Sequence, residues 1–335
     1  MGEKIRIAIA GYGNVGRGVK AAIEASSDMV LCGIVSRNPE RVKKELGASD
    51  IMVMDINDIA GWTRELSPDL AILCGGSSTD LPVQGPKLAA HLSTVDSFDN
   101  HGEIPNYFNA MDKAAHDSGN VAVISTGWDP GIFSLERVLA SSFIPGVKPY
   151  GFYGLSESGG LSMGHSDAIR RIPGVKDARQ YTHAEPDAIA KVRSGGNPVL
   201  TAGEMHWREC FIVLEDSADA GAVEETVKNM PNYFAPYRTV VNFITQDELN
   251  IRFSGFPHGG CVIASGTTAE GGSAQIEYQC NWGSNPAATA SVLVAHARAT
   301  MRLKKDGKSG AFTILDIPPA YFSNLSREEL LKKFM

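Results

Sequence analysis

The chain has 335 residues, 43% hydrophobic and 21% charged, which is the composition of a globular protein of about two domains rather than of a disordered, fibrous or membrane chain. Thirty-one Lys and Arg against 38 Asp and Glu leave a formal charge of -7, opposite in sign to what a binder of phosphate backbones needs, so nucleic acid is not an expected partner. Apolar runs such as Leu70 to Cys74 fall far short of the roughly 18 residues of a membrane span, and the stretch Ile5 to Ala10 enters a glycine loop directly, unlike a secretory segment. The five cysteines (Cys32, Cys74, Cys210, Cys261, Cys280) are odd in number, widely spaced and without a C-x-x-C pair. They argue against a disulfide framework and fit a reducing cytoplasm. His206 with Cys210 and His258 with Cys261 come nearest to a metal spacing, but packing on a strand or turn accounts for each pair, and no metal is expected.

In chain order, short β-branched runs alternate with helical patterns over the first 130 residues, the alternation that a parallel sheet with crossover helices requires. Strands are predicted at Ile5 to Ala10, Met29 to Val35, Leu70 to Cys74, Thr94 to Phe98 and Val121 to Ser125, with helices near Val15 to Ala25, Pro39 to Leu46, Leu81 to His91 and Ile104 to Ser118. Right-handed crossovers make this an α/β, Rossmann-type doubly wound sheet. Beyond Trp128 the texture changes to Gly-rich loops and closely spaced runs at Cys210 to Leu214, Thr239 to Ile244, Leu249 to Phe253, Cys261 to Ser265 and Gln275 to Cys280. These predict a second, α+β domain with a mostly antiparallel sheet. A long Ala-rich helix from about Pro286 to Leu303, a strand at Ala311 to Leu315 and a last helix capped by Ser326 and Glu329 follow. The expected division is a dinucleotide-binding domain at 1–127, to which the tail at about 304–335 returns, and a second domain at 128–303.

Gly11-Tyr12-Gly13-Asn14-Val15-Gly16 is G-x-G-x-x-G between a strand and a helix. In that context the first glycine permits the tight turn, the second lets a pyrophosphate approach the backbone, and the third lets helix and sheet pack closely. An NAD-binding version places Asp or Glu about 20 residues further on, where its carboxylate holds the ribose 2'-hydroxyl. This chain has Ser36-Arg37-Asn38 there. A guanidinium and a hydroxyl bond a 2'-phosphate that a carboxylate would repel, so the expected cofactor is NADP.

Substrate groups are expected at the carboxyl edge of the sheet, where open α/β sheets bind ligands. Ser125-Thr126-Gly127-Trp128-Asp129-Pro130-Gly131 lies there; Trp128 can wall a pocket, and Asp129 either receives an ammonium or caps the helix that follows. Asp96-Ser97-Phe98-Asp99-Asn100-His101 offers two further carboxylates in a turn-forming run. In the second domain, Gly164 to Arg171 is dense in polar groups and Pro257-His258-Gly259-Gly260 is a turn projecting one imidazole. Periodicity leaves open whether Arg208 binds a carboxylate or lies in an ion pair, whether Asn285 does more than cap a helix, and whether Thr182 is more than a strand residue.

Gly-Tyr-Gly-Asn-Val-Gly-Arg at 11–17, Ser-Thr-Gly-Trp-Asp-Pro-Gly at 125–131, Gly-His-Ser-Asp-Ala-Ile-Arg-Arg-Ile-Pro-Gly-Val at 164–175, Pro-His-Gly-Gly at 257–260 and Ser-Gly-Ala-Phe-Thr at 309–313 closely resemble the meso-diaminopimelate dehydrogenases, nearly end to end. The resemblance implies reversible NADP-dependent oxidative deamination at the D-centre of meso-2,6-diaminopimelate, giving L-2-amino-6-oxopimelate and ammonia. Run reductively, the reaction supplies lysine and peptidoglycan precursors. It also implies that Asp99, Trp128 and Asp129, with backbone of Met163 and Gly164, hold the D-centre, with Asp99 or Asp129 positioning the amine or moving its proton. Thr182, Arg208, His258 and Asn285 would hold the distal L-centre. A homodimer built on the second domain's sheet is part of the same implication.

The segment Gly151 to Leu161 departs from the shorter family pattern, with extra residues before the Gly-His-Ser-Asp motif and Tyr153 where Trp is frequent, so the loop beside the reacting centre is expected to differ. Two rival readings are another two-domain NADP oxidoreductase of the aspartate and lysine pathway and a broad D-amino acid dehydrogenase. A third is a dinucleotide sensor without turnover. The sister oxidoreductases do not predict the D-centre carboxylate pair, and a sensor has no need of so many convergent polar groups.

Overall fold

The computed structural model describes residues 3–231 and 233–335, and the chain folds as two compact units, Met1–Leu135 with Pro286–Met335, and Glu136–Asn285. The first unit is built on a parallel sheet of β1 (Ile5–Ala10), β2 (Met29–Ser36), β3 (Val53–Asp55), β4 (Leu70–Leu73), β5 (Ser93–Asp96) and β6 (Val121–Val123), joined at its edge by the returning strand Gly310–Phe312. Its order, with β3, β2, β1, β4, β5 and β6 side by side, is that of a doubly wound dinucleotide-binding sheet, whose ligand lies where the order reverses beyond β1 and β4. These strands are continuous apolar runs because helices cover both faces, as the full burial of Leu70, Ala71 and Ile72 shows. Strand β3 and the helix Ile59–Leu66 were not expected from the sequence; three and eight residues are too few for periodicity to separate them from a loop.

The long helix Asn285–Lys305, expected in the second domain, runs instead in the first unit. Its Ala290, Leu293, Val294 and Ala297 share a core with Ile7, Ile9 and Val19. Being buried almost all round, it has no single apolar stripe to show which layer it serves. The tail strand, expected at Ala311 to Leu315, spans Gly310–Phe312 and pairs in parallel with β6, Leu315 lying instead in a 3-10 turn; Ser326 caps the last helix in a capping box with Glu329, as read from the sequence.

The second unit holds two small sheets. One contains β7 (Tyr150–Tyr153), β12 (His258–Thr267) and β13 (Ser273–Trp282), with β12 in the centre; the other runs β11 (Thr239–Phe243), β10 (His206–Leu214), β9 (Val175–Ala184), β8 (Gly160–Leu161). All these pairs are antiparallel except β10 with β11, which is parallel; the helix Ala220–Lys228 lies between them in the chain and makes the crossover that a parallel pair needs. The run Leu249 to Phe253, expected as a strand, lies largely in a helix, Gln246–Arg252. The Thr245–Glu248 capping box starts that helix, and of its alternating apolar residues Leu249 is buried while Ile251 is 79% exposed. A reciprocal cap therefore outweighed an accidental two-residue alternation.

Candidate active site

The glycine loop follows β1 directly. Gly11 has φ of +99°, and a Cβ on Gly16 would lie 2.3 Å from the Gly11 carbonyl oxygen, so turn and helix touch backbone to backbone. Gly13 is different, because a Cβ there would meet nothing within 4 Å. It faces open space at the start of the helix Asn14–Glu24, which has neither a side-chain cap bond nor an acidic residue in its first turn. Unpartnered N–H groups at the positive end of a helix, beside open space, suit a pyrophosphate. At the end of β2, Ser36 is buried and its hydroxyl accepts the Asn38 N–H at 3.2 Å, which leaves its own proton for another acceptor. The Arg37 guanidinium is exposed and pairs with Asp80 at 2.9 Å. Tyr12 is buried, and its carbonyl accepts from Arg41 at 3.1 Å. With no carboxylate at 36–38, these residues fit an NADP: Gly11 to Gly16 under the pyrophosphate, Ser36 and Arg37 toward the 2'-phosphate.

Two turns at the carboxyl edge of the same sheet carry the expected D-centre residues. Asp99, exposed, follows β5, and its N–H donates to Ser77 Oγ at 3.1 Å. Trp128 and Asp129 follow β6. The Trp128 indole is 7% exposed and stands edge-on to Phe133 at 4.9 Å, so its orientation is set by packing rather than left to solvent. The next helix begins at Ile132, three residues beyond Asp129. Sequence reading treated Asp96 as one of several turn carboxylates and missed its place as a fully buried group at the end of β5; no periodicity marks such a residue.

The distal residues belong to the second unit. Thr182 on β9 and Arg208 on β10 are directly paired, and an Arg208 Nη–H donates to Thr182 Oγ1. Gln180 Nε2 donates to the same oxygen at 3.4 Å. With two donors on its oxygen, Thr182 is left to give its own proton to a ligand. The Arg208 guanidinium lies 4.0 Å above the Tyr237 ring, is 8% exposed, and makes no ion pair with a carboxylate among the described residues. Burial lowers its pKa. His258, buried on β12, accepts the Gly259 N–H on Nδ1 at 2.8 Å. Asn285 is 8% exposed, and its N–H donates to the Phe256 carbonyl at 2.7 Å. Met163 and Gly164 open the helix Met163–Arg170, behind the Ser162 cap; first-turn amides have no intrahelical acceptor.

Sequence reading missed Tyr237 and noted His165 only within a polar run; both lie around Arg208. His165 donates to or accepts from Ser162 Oγ at 2.7 Å; Tyr237 sits in a turn with no signal of its own. Tyr153 stacks on His206 at 5.2 Å, and its hydroxyl accepts from Arg137 at 2.8 Å. His206 Nε2 accepts the Tyr153 N–H at 3.0 Å, and no group of three or more His, Cys, Asp or Glu suited to a metal ion occurs among the described residues.

Burial, helped by the Arg208 cation, pushes His165 and His206 down to about 3, and burial pushes His296 down to about 4. Because these folded values lie below the ordinary 6.5, the unfolded chain binds more protons below that pH, and stability is lost as pH falls from 6.5 toward 4. Acidifying from pH 7 to 5 is expected to remove about 2 kcal/mol per histidine. Asp96, raised to about 6 by burial, has the opposite sign over this window and offsets part of the loss. Urea unfolding at the two pH values checks the net fall, and an unchanged midpoint would count against buried neutral rings.

The family model described as "Diaminopimelic acid dehydrogenase C-terminal domain" matches residues 127–284. A meso-diaminopimelate D-dehydrogenase of Ureibacillus thermosphaericus is 50% identical over 99% of this chain and 100% of its own length. The crystal structure of the C. glutamicum DAP dehydrogenase in complex with DAP is similar at TM-score 0.92 and 41% identity, covering all of both chains. An engineered D-amino acid dehydrogenase bound to NADP+ matches at TM-score 0.88 and 40% identity, over 99% of this chain and 100% of that one. With its glycine loop after β1 and a scaffold matched over its full length at up to 50% identity, this chain belongs to the meso-diaminopimelate D-dehydrogenase family.

Proposed function

We infer that this chain catalyses the reversible NADP-dependent oxidative deamination of meso-2,6-diaminopimelate at its D-centre, giving L-2-amino-6-oxopimelate and ammonia. The observation that carries the reading is Arg208, a buried cation with no carboxylate paired to it among the described residues. An unpaired buried charge is costly, and a ligand carboxylate is what offsets it. Thr182 and His258 add neutral donors, and Asn285 completes the set for the L-centre. On this reading Asp99 and Asp129 receive the reacting ammonium and Trp128 walls it, while the amides of Met163 and Gly164 are the donors assigned to its carboxylate. NADP, when bound, takes the hydride from the D-carbon. The chain's own residues set that carbon in place, take up the proton lost by the amine, and exclude bulk water while the resulting imine is formed; one water then hydrolyses the imine to the 6-oxo product and ammonia. On this reading Asp99 or Asp129 holds that proton. Supply of lysine and peptidoglycan precursors is the reductive role of this reaction.

The experiment is NADPH formation at alkaline pH with meso-diaminopimelate beside the LL and DD isomers, simple D-amino acids, and NAD in place of NADP. Turnover confined to the meso substrate with NADP supports the two-ended site. Equal turnover of simple D-amino acids would show that the distal set does not select. Substituting Arg37→Ala is expected to raise KM for NADP about tenfold and leave KM for NAD unchanged, since a charge-assisted bond to the 2'-phosphate is lost; equal effects on both cofactors would remove Arg37 from that role.

The proposed assembly is a homodimer in the cytoplasm. Strand β13 lies at the open edge of its sheet with alternating half-buried residues, and no disulfide joins the cysteines among the described residues. Light scattering on the eluted protein decides between dimer and monomer.

A further inference from the structure

We infer that Asp96 is a positioning residue for the reaction, its side chain fixing together the two turns that carry Asp99 and Trp128–Asp129. The inference rests on the reading of those three residues as the D-centre half of the site. Asp96 is 0% exposed and ends β5. Its Oδ1 accepts the Phe98 N–H at 3.0 Å and the Ser125 N–H at 3.1 Å, and its Oδ2 accepts the Tyr107 hydroxyl at 2.8 Å. Its backbone carbonyl accepts both the N–H and the hydroxyl of Thr126 at 2.9 Å. One residue thus closes the turn into Asp99 and pins Ser125 and Thr126, which follow β6 and lead into Trp128.

The surroundings are arranged around these bonds. Phe98 stacks on Tyr107 with ring centroids 4.1 Å apart, which aims the phenol at Oδ2. Ser125 has φ of +54°, a conformation that a non-glycine residue keeps only where its neighbours hold it there. Its N–H bond to Asp96 is one such hold. No cation pairs with Asp96 among the described residues, and burial raises its pKa to about 6. An apolar residue at the same place would be cheaper to bury. What the carboxyl group supplies is geometry: one oxygen that accepts two amides from different turns and a second atom that meets Tyr107. Asparagine has the same shape. Its oxygen takes both N–H groups, and its amide donates to the Tyr107 oxygen instead of accepting from it.

The test compares the full-length wild type with Asp96→Ala, Asp96→Asn and Tyr107→Phe, reading kcat and KM for meso-diaminopimelate, NADPH affinity by nicotinamide fluorescence, and the thermal midpoint. Wild-type turnover is established first; its absence would fail the functional reading and not this inference. Asp96→Ala is expected to lower kcat about 100-fold, the scale of a 1 Å misplacement of reacting groups, with the NADPH Kd changed by no more than about twofold, because the glycine loop lies beyond β1. Asp96→Asn is expected to stay within about threefold of wild-type kcat, as the bonds are kept. Should Asp96→Ala not fold, Tyr107→Phe takes its place; it removes one bond, leaves both amide bonds, and is expected to lower kcat about tenfold. A folded Asp96→Ala or Tyr107→Phe with wild-type kcat would overturn the inference. So would Asp96→Asn falling as far as Asp96→Ala, since the charge rather than the bond geometry would then matter.

Discussion

Substituting Arg208→Leu is expected to lower kcat/KM for meso-2,6-diaminopimelate about a thousandfold while raising the thermal midpoint of the ligand-free protein. The two effects have one cause. In the free protein the guanidinium is 8% exposed, bonded to Thr182 Oγ1 and laid over the Tyr237 ring, with no carboxylate beside it among the described residues. Removing a buried charge that lacks its partner and filling the place with an apolar side chain is neutral or stabilising by about 1 to 4 kcal/mol. In the complex the same charge meets a carboxylate where water is excluded, and truncating one member of such a pair costs about 4 kcal/mol, a factor of about a thousand. Steady-state kinetics and a thermal scan on the same preparation check both signs. The loss should appear chiefly in KM, because the distal carboxylate is bound equally before and during hydride transfer. An unchanged KM, or a lower thermal midpoint, would mean that Arg208 serves the fold and not the substrate.

Gly13→Val is expected to weaken NADP binding about 100-fold and to leave the thermal midpoint of the ligand-free protein where it was. A Cβ at position 13 meets no atom within 4 Å, and φ there is -101°, open to any residue. The added side chain therefore costs the folded chain little, but it fills the space through which a pyrophosphate reaches the helix amides. Gly16→Val makes the opposite comparison. Its Cβ would sit 2.3 Å from the Gly11 carbonyl oxygen, so backbone has to move, and stability falls together with cofactor binding. Fluorescence titration with NADPH beside thermal unfolding separates the two variants. If both lose stability alike, the open space at Gly13 is not held for a ligand.

The first unit was legible because its elements obey strong local rules. A strand, a glycine loop and a helix in succession state a dinucleotide turn without reference to the rest of the chain, and the missing carboxylate at 36–38 is a matter of residue identity. The capping box at Ser326 was equally local. Where two local signals competed, as at Thr245 to Phe253, the alternation of Leu249, Ile251 and Phe253 pointed to a strand and the cap decided for a helix. The helix Asn285–Lys305 failed differently: its length was plain, but an alanine-rich helix buried on nearly every side gives no direction to its partner.

The distal set was assigned by resemblance and not by physics, since Thr182, Arg208 and His258 stand on β9, β10 and β12 and look, one at a time, like a strand threonine, a surface arginine and a turn histidine. Residue order thus determined the sheet of the first unit, the phosphate-binding turn, the preference for a 2'-phosphate and the family. Tertiary structure alone decided that Arg208 is buried and lacks a counter-charge among the described residues, that His258 is buried with Nδ1 bonded to the Gly259 N–H, and that Asp96 joins two turns. Burial and hydrogen-bond partners depend on residues far apart in the chain, and no local pattern carries them.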